Sequence, residues 1–331
     1  MMKAKGDYNP WFLIMPRCSV IVVTYNSGTQ IEACLRALAP QDCEIVVVDN
    51  ASQDDTVARI RALEEQIPLQ LLTISRNIGF AGGVNQGARA AGGDVLLILN
   101  PDAIADPGAV NAIVDCLETS GAGAAGGALL ESDGQPARGF AFRRIPTLTT
   151  LLFEVLLVNQ VWPGNPVNRR YRCLDADYFK QQRVEQPAGA CLAVTRKAWD
   201  SVQGMDTAFY PVWFEDVDFC KRLLDQGAAI IYCPTSRFHH GGAHSVGQLK
   251  FGDKQMFWYQ NMVRYAKKHF MSAQVLILRL AILKGMLLRM IASLFGGGPR
   301  GLPAHEPIRS YAGVAKWAIG LSGGNSEKQP S

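Results

Sequence analysis

The sequence lacks the cysteine pairs and phosphate loops that distinguish several common protein classes. Its eight cysteines include no CxxC pair. Most of them lie in apolar runs, so we expect buried, reduced thiols rather than disulfides or a zinc site. No GxxxxGK[ST] stretch is present, which excludes a P-loop protein. Reduced thiols also lead us to expect a cytoplasmic location.

A glycine-rich segment is present, but it lacks the spacing that binds dinucleotides. RNIGFAGGVNQG spans residues 76–87, and its glycines stand at 79, 82, 83 and 87 rather than in a GxGxxG pattern. The segment also follows the third predicted strand, whereas the dinucleotide motif follows the first. The sequence therefore argues against a nicotinamide-binding fold.

Acidic residues are missing from the segment 254–300, where eight cations alternate with Trp258, Tyr259 and Tyr265. The whole chain carries 33 Lys and Arg against 29 Asp and Glu, so the remainder is net acidic. A basic, apolar tail on an acidic body favours an anionic membrane surface as a partner. We expect no nucleic-acid partner, because no recognition motif accompanies the charge.

Residues 272–295 form an apolar run long enough to cross a bilayer. The run contains Arg279, Lys284 and Arg289, and each costs about 2.5–3.5 kcal/mol near the centre of a membrane helix. We therefore expect a peripheral membrane anchor rather than a span, with two short helices broken near Gly285 as one arrangement. Packing on the catalytic part of the chain, or in a homodimer contact, is the alternative.

Four apolar strands alternate with helices in the first 120 residues. CSVIVV, EIVVVD, LQLLTIS and DVLLILN are uninterrupted β-rich runs, and Ser52 with Asp55 predicts a capped helix after the second. Because continuous apolar strands are buried on both faces, we predict a mostly parallel α/β sheet covered by helices. Ligands bind at the carboxyl ends of such strands. Polar residues cluster there, at Thr24-Tyr25-Asn26, Asp49-Asn50-Ala51-Ser52, Arg76-Asn77 and Asn100-Pro101-Asp102.

Changes in composition divide the chain into four predicted parts. These are a flexible arm (1–14), a catalytic domain (15–250), a helical extension (251–320) and a disordered tail (321–331). The domain has a nucleotide-binding half (15–125) and an acceptor-binding half (126–250). The apolar stretch 11–15 is too short for the core of a signal peptide. We expect a chain starting at Met15 to fold and work.

Seven segments together resemble the inverting family 2 glycosyltransferases, which have the GT-A fold. They are VIVVTYNSG, VVVDNASQDDT, RNIGFAGGVNQG, ILNPDA, PAGACLAVTRKAWDSVQGMD, FEDVDFCKRL and HHGG, in the family's order between residues 18 and 245. Their spelling is most similar to the rhamnosyltransferase branch, which uses dTDP-rhamnose in cell-envelope polysaccharide synthesis. The resemblance implies a nucleotide-sugar donor, a lipid-linked glycan acceptor, and a peripheral location on the cytoplasmic face of the inner membrane.

The resemblance also implies a Mg²⁺ or Mn²⁺ cofactor, because a divalent cation neutralises a diphosphate leaving group. Asp102 is the expected ligand, together with a histidine from the end of the last strand. We favour His239 over the alternative His240, since its spacing to a following glycine resembles the family's HxxGxS. Asn100 stands where the family more often has an acid, and it is assigned to the nucleotide.

The implied catalytic base is Asp216 of FEDVDF, because an acceptor hydroxyl must lose its proton as it attacks the anomeric carbon. At a helix start, an aspartate is also a good cap. Glu215 is expected to bind the acceptor or sugar, which Gly189 and Ala190 border. The residues implied to bind the nucleotide are Thr24, Tyr25, Asn26, Asp49, Asn50, Ser52, Arg76, Asn77, Gly79, Asn85 and Asn100.

Two other functions remain open at this point. The same fold could use a UDP-sugar donor carrying galactofuranose, galactose or N-acetylglucosamine. The chain could also bind a nucleotide sugar without turnover, although the intact Asp102, Asp216 and histidine loop argue against this. A nucleotidyltransferase is disfavoured, because the N-terminal part has no basic, glycine-rich loop for a triphosphate.

Overall fold

The computed structural model describes residues 17–241, 247, 249–299, 301–303 and 305–321. The predicted arm (1–14) and all but the first residue of the predicted tail lie outside this part. The described strands are β1 (Cys18–Thr24), β2 (Glu44–Asp49), β3 (Gln70–Thr73), β4 (Val95–Leu99), β5 (Ala103–Ala105), β6 (Ala124–Leu130), β7 (Phe142–Arg143), β8 (Gln182–Arg183), β9 (Gln186–Pro187), β10 (Cys191–Thr195) and β11 (Ile230–His240). The described helices are α1 (Ile31–Leu38), α2 (Thr56–Glu64), α3 (Gly79–Ala90), α4 (Ala109–Ser120), α5 (Leu148–Val155), α6 (Val158–Val161), α7 (Pro166–Tyr171), α8 (Arg196–Ser201), α9 (Glu215–Asp225), α10 (Phe251–His269), α11 (Ser272–Leu294) and α12 (His305–Ala318).

The central sheet is mixed, and its first half is parallel as predicted. Strands β3, β2, β1 and β4 are neighbours in that order, and all three pairs are parallel. Strand β10 then runs antiparallel between β4 and β6, and β11 is parallel to β6. Because β10 reverses direction, the loop before it meets the carboxyl end of β4, where Leu99 pairs with Cys191.

The parallel strands are buried on both faces, which accounts for their continuous apolar sequence. Along β1, Val20 and Val22 join the core beneath α1, whereas Ile21 and Val23 join the core beneath α3. Each such side chain stabilises the fold by about 1.5–3 kcal/mol when fully buried.

All eight cysteines are free thiols, as predicted.

The helix after β2 does not begin with the predicted Ser52 capping arrangement. Helix α2 starts at Thr56, and the Ser52 Oγ accepts a hydrogen bond from the Asn26 N–H instead. Asp54 holds the start of the helix, because its Oδ1 accepts from the Thr56 N–H and its Oδ2 from the Gly28 N–H. The expected local cap is therefore replaced by bonds between the β1 and β2 loops.

The apolar run near the C-terminus is one continuous helix rather than two short ones. Helix α11 runs unbroken from Ser272 to Leu294, with Gly285 inside it. A Cβ at position 285 would lie 2.1 Å from the Val155 carbonyl oxygen, so this glycine permits close packing on α5 instead of breaking the helix. Helices α10, α11 and α12 share a core with α5 and with Phe214 and Val217.

Two of the three cations in α11 are turned toward the protein. Arg279 donates to the carbonyls of Trp317 and Ala318 at the end of α12. Arg289 donates to the Val155 carbonyl at the end of α5. These carbonyls have no partner within their own helices, and guanidinium groups satisfy them favourably.

The outward side of α11 is almost entirely apolar. Lys284 is its one exposed cation among the described residues of the helix. No described helix is long and apolar enough to span a membrane. We call the exposed row the α11 stripe, and its members are Leu276, Ile277, Leu280, Leu287, Leu288, Ile291, Leu294 and, just past the helix, Phe295.

Candidate functional site

The turn after β4 brings a carboxylate next to an imidazole. The Asp102 Oδ1 lies 3.4 Å from the His240 Nε2, and both side chains are only 8% exposed. The Asn100 Nδ2 lies 3.3 Å from the same ring nitrogen, and the Phe140 ring stacks on the imidazole at a centroid distance of 5.3 Å. Oxygen and nitrogen donors therefore converge at the carboxyl edge of the sheet.

His239, which the sequence favoured, points elsewhere. Its Nε2 lies 3.1 Å from the Asp106 Oδ1, and its side chain is 45% exposed. Strand β11 continues to His240, and successive side chains of a strand point to opposite faces. Spacing to a glycine does not tell which of two adjacent strand residues faces the cleft. His240, the alternative named from the sequence, is therefore the histidine that lies beside Asp102, while the identity of the metal ligand stays a prediction.

Asp102 and His240 fit a divalent cation. The His240 Nε2 cannot both donate a proton to Asp102 and accept one from Asn100. At most one of the two contacts is therefore a hydrogen bond, and the unprotonated ring nitrogen can instead bind another ligand. Two protein ligands suffice where phosphate oxygens and water complete the shell. Among the described residues, no group of three or more His, Cys, Asp and Glu could hold a metal. A cation here would therefore depend on the nucleotide for its other ligands.

Asp216 is held rigidly at the start of α9. Its Oδ2 accepts from the Gly189 N–H and from the Gln186 Nε2, each at 3.0 Å. Its Oδ1 accepts from the Val217 N–H at 2.8 Å. Burial raises the pKa of Asp216, although these bonds work against the shift. A carboxylate with a raised pKa is a stronger proton acceptor, as the predicted base requires.

Glu215 is more deeply buried than Asp216. The residue is only 4% exposed, and its Oε2 has no hydrogen-bond partner among the described residues. Burial and the neighbouring charge of Asp216 raise the pKa of Glu215 well above its usual value. An unpaired buried carboxyl beside the predicted base is suited to bind a polar group of a ligand.

Short contacts link the loops that carry the two acidic positions, Asp102 and Asp216. Gly189 contacts Asp216, and the carbonyl of the next residue, buried Ala190, accepts from the Asn100 N–H at 3.0 Å. In a second series of contacts, the Arg143 guanidinium lies 5.9 Å from the centroid of Phe140, which stacks on His240. The charge of the same guanidinium lowers the pKa of Asp216 and so offsets part of the increase that burial causes.

Two of the predicted nucleotide ligands are committed to the protein itself. The Asn50 Nδ2 donates to the Asn77 Oδ1 and to the Gly79 carbonyl, and its Oδ1 accepts from the Ile78 N–H. The Asn85 amide exchanges hydrogen bonds of 2.8 and 2.9 Å with the Met205 backbone. These bonds hold the loops around α3, and direct contact of Asn50 and Asn85 with a nucleotide stays a prediction.

Other predicted residues form a network between the tips of β1 and β2. The Thr24 Oγ1 donates to the Asp49 Oδ1, and the Ser52 N–H donates to the Asp49 Oδ2, each at 3.0 Å. Thr24 and Asp49 are buried, and the Asn26 Oδ1 accepts from the Gln53 N–H at 2.7 Å. These contacts shape the loops and leave Asp49 with little exposed surface.

Arg76 is the exposed member of the predicted nucleotide set, whereas Tyr25 is half-buried. Arg76 lines a cavity of about 270 Å³ with Asn85 and Tyr210. Gly79 has a φ of +78°, and a Cβ there would lie 3.0 Å from the Pro211 carbonyl oxygen and from the Tyr210 ring. Glycine at 79 therefore lets the 210–211 turn close over the start of α3.

Sequence reasoning missed the contacts that hold the base. Gln186 and Arg143 border Asp216, but neither belongs to the FEDVDF motif. The adjacent arginines 143 and 144, in a loop-rich segment, were the available signal. Pairing of Arg143 with Gln186 across β7 and β9 could not be read from either segment alone.

The third acid of the motif, Asp218, anchors the catalytic helix to α10. Its carboxylate is completely buried and contacts Arg222 at 2.7 Å, Lys268 at 2.9 Å and His269 at 2.7 Å. Burial alone would raise the pKa of Asp218, but its bonds to His269, Lys268 and Arg222 lower it to about 2. Asp218 therefore stays charged and fixes α9 against the C-terminal helices.

Comparison with known proteins found similar glycosyltransferases. The model of glycosyl transferase family 2 matches residues 19–171. The chain is similar to the N-acetylglucosaminyl-diphospho-decaprenol L-rhamnosyltransferase of Mycobacterium tuberculosis, at 28% identity over 251 residues. That match covers 69% of this chain and 77% of the relative.

Solved structures share the fold at low sequence identity. The mannosyltransferase PcManGT from Pyrobaculum calidifontis, in complex with GDP-Man and Mn²⁺, has a TM-score of 0.53 at 19% identity, covering 96% of this chain and 89% of that one. GalNAc-T7 with UDP, GalNAc and Mn²⁺ has a TM-score of 0.54 at 13% identity, covering 91% of this chain and 55% of that one. The chain thus has a GT-A-like fold, and it is similar to the glycosyltransferases of family 2, whose model matches residues 19–171.

Proposed function

We propose that the enzyme transfers L-rhamnose from dTDP-rhamnose to a hydroxyl of a lipid-linked glycan in cell-envelope polysaccharide synthesis. The similar Mycobacterium tuberculosis protein is an L-rhamnosyltransferase whose name specifies a diphospho-decaprenol acceptor. The NPD and FEDVDF motifs favour the same rhamnosyltransferase branch. The observation that carries the proposal is the short series of contacts between the loops of Asp102 and Asp216, which suits a diphosphate at one end and an incoming alcohol at the other.

In this mechanism Asp216 removes the proton of the attacking hydroxyl. The acceptor oxygen forms its bond to the anomeric carbon as the bond to the diphosphate breaks, so the configuration inverts in one step. The bonds from Gly189, Gln186 and Val217 hold the carboxylate in place, which lowers the entropic part of the barrier. Glu215 uses its unpaired Oε2 to bind a hydroxyl of acceptor or sugar.

Asp102 and His240 are the proposed protein ligands of Mg²⁺ or Mn²⁺. When bound, such an ion stabilises the negative charge of the departing diphosphate. The PcManGT and GalNAc-T7 structures are described with Mn²⁺, which supports this choice. Asn100 lies beside His240 and would orient the imidazole or contact the nucleotide, while Tyr25 and Arg76 contact the base and ribose.

We further propose that residues 254–300 rest on the cytoplasmic face of the inner membrane. The α11 stripe belongs to a helix of 23 residues, about 34 Å long, so it offers a continuous apolar surface. Lys284 is exposed on the same helix and Lys267 on α10, and the segment 254–300 carries no acid. Such a face suits an interface with anionic lipids. A second copy covering the stripe is the alternative.

A thermal-shift panel tests the donor assignment. Ligands that bind the native state raise the melting temperature by mass action. With Mg²⁺ or Mn²⁺ present, dTDP-rhamnose should give a larger shift than dTDP alone, UDP-galactose, UDP-galactofuranose or UDP-N-acetylglucosamine. A larger shift with a UDP-sugar would support that alternative donor and overturn the rhamnose assignment.

A transfer assay separates the enzyme from a protein that only binds nucleotide sugars. The wild type should release dTDP and form a rhamnosylated product, while Asp216→Asn should bind the donor without either reaction. Donor binding without transfer or hydrolysis by the wild type would support the binding protein instead.

A further inference from the structure

A basic cavity lies in the acceptor half of the molecule, away from the strand tips described above. Its volume is about 640 Å³, and its walls come from α7 and from the segments around β7 and β8. The predicted mechanism uses none of its residues. Its charged members are Arg144, Arg169, Arg170, Arg183, Asp175 and Glu185, and we call it the arginine cavity.

The acids of the arginine cavity neutralise only part of its charge. Arg144 contacts Glu185 at 3.2 Å, and Arg169 contacts Asp175. Arg170 and Arg183 make no ion pair within the described part of the chain and are exposed. Two unpaired guanidinium groups in a concave site match a ligand with two negative charges, and the planar guanidinium binds phosphate oxygens bidentately.

The arginine cavity lies one residue away from the groups that hold the catalytic base. In β7 and β9, Arg143 pairs with Gln186, and the Gln186 side chain contacts Asp216. The next residue along each strand segment, Arg144 or Glu185, lines the cavity instead. Neighbouring strand residues point to opposite faces, so a ribbon of two short strands separates the base from the cavity.

A third contact repeats this arrangement. In α7, Arg170 lines the cavity, while the next residue, Tyr171, has its ring 5.9 Å from the Arg143 guanidinium that acts on Asp216. Consecutive Cα atoms are about 3.8 Å apart. The cavity and the base therefore lie on the two sides of one thin ribbon, a separation that an extended ligand matches in length.

We propose that the arginine cavity binds the diphosphate of the acceptor while a sugar hydroxyl of the same molecule lies at Asp216. This inference rests on the proposed function, in which the acceptor is a glycan linked to a lipid through a diphosphate. The donor diphosphate has a separate place at Asp102, so it does not require these arginines. A free phosphate or an anionic lipid headgroup presents the same chemistry, and the test below separates these sources.

The test uses the double variant Arg170→Gln/Arg183→Gln in the full chain. Arg61→Gln is the matched control, because Arg61 is exposed on α2, far along the chain from the cavity. The probes are N-acetylglucosaminyl-diphospho-farnesol, a phosphate-free N-acetylglucosaminide and inorganic pyrophosphate. The double variant should raise KM for the diphosphate acceptor about 100-fold, which is about tenfold or 1.4 kcal/mol for each arginine. KM for dTDP-rhamnose should stay unchanged.

With the phosphate-free acceptor, the wild type and the double variant should have equal KM values. Pyrophosphate binding, measured by calorimetry, should weaken in the double variant and stay unchanged in Arg61→Gln. An unchanged KM for the diphosphate acceptor would overturn the proposal. If pyrophosphate binding weakens at the same time, the cavity holds a free anion; if only binding to phosphatidylglycerol vesicles weakens, it holds a lipid headgroup.

Failure of the proposed function would give a different result. If no rhamnose is transferred, competition between pyrophosphate and the diphosphate-linked sugar still reports on the arginine cavity. Competition that the double variant abolishes would support the cavity even then. Absence of competition in the wild type would overturn the cavity whatever the donor is.

Discussion

Gly189 and Asp216 touch so closely that a side chain at position 189 would force Asp216 to shift. The Gly189 N–H donates to the Asp216 Oδ2 at 3.0 Å, and a Cβ on Gly189 would lie 3.2 Å from the Asp216 Cβ. Gly189→Ala should therefore displace the carboxylate by a few tenths of an ångström and lower kcat about tenfold. The melting shift with donor should persist. Gly164→Ala, with open space around its Cβ, is the control, and an unchanged kcat in Gly189→Ala would contradict this account.

Removing the charge of Asp216 should stop the reaction without removing the donor site. Asp216→Asn keeps the shape of the side chain but no longer accepts a proton, so we expect turnover to fall about 10²–10⁴-fold. Because burial raises the pKa of Asp216, the acid limb of kcat/KM in the wild type should lie above the usual aspartate range. Rates that stay flat through that limb would argue for another base.

The two adjacent histidines should differ in their effect on metal activation. His240→Ala should raise the Mn²⁺ concentration needed for half-maximal activity about tenfold or more, because His240 lies beside Asp102. His239→Ala should have little effect, because that ring contacts Asp106 near the surface. Mn²⁺ titrations of both variants decide the point. The opposite order of effects would restore His239 as the ligand.

Asp218 should contribute strongly to stability through its buried ion pairs. Asp218→Asn leaves Arg222, Lys268 and His269 without their carboxylate, so we expect a loss of about 3–5 kcal/mol in unfolding free energy. Asp225→Asn on the same helix breaks only an exposed pair with Lys221 and should cost at most about 1 kcal/mol. Equal effects in denaturant unfolding would contradict the anchoring role.

The same cluster gives the wild type a predictable acid dependence. The pKa of Asp218 is about 2 in the folded state and near 3.8 in the unfolded chain. The ionised carboxylate therefore stabilises the fold fully at pH values above about 3.8. That contribution should disappear as the pH falls from about 4 toward 2. Asp218→Asn should lack this part of the pH dependence.

The α11 stripe should carry the membrane affinity. Leu280→Glu and Leu287→Glu place charge on its exposed apolar face and should abolish salt-sensitive flotation with phosphatidylglycerol vesicles. Ile104→Glu, at another exposed apolar position, should float like the wild type. A wild type that forms dimers and binds no vesicles would assign the stripe to a second copy instead.

The sequence predicted the features that depend on continuous local patterns. The apolar runs predicted the parallel strands β1 to β4. The polar residues after these runs predicted the edge of the sheet at which Asp102 lies. FEDVDF correctly predicted a helix start carrying acids, at Glu215 and Asp216.

What the sequence left open depends on partners distant along the chain. Asn50 and Asn85 looked available for a ligand, yet their amides pair with loops that only the fold brings close. Arg279 and Arg289 seemed to interrupt an apolar face, but carbonyls at the ends of other helices draw them inward. Periodicity within one helix gives no sign of those carbonyls.

The aromatic contacts of Phe214 bear on any attempt to shorten the protein. Phe214 immediately precedes the two acids, and its ring lies 5.3 Å from Trp258 and 5.7 Å from Tyr265 by centroid distance. A chain truncated near residue 250 would leave these rings in water beside a loosened catalytic helix. Such a truncation would give an aggregating, inactive fragment rather than a minimal enzyme, since the described helices after residue 250 share a core with Phe214 and Val217 and so support the helix that carries the two acids.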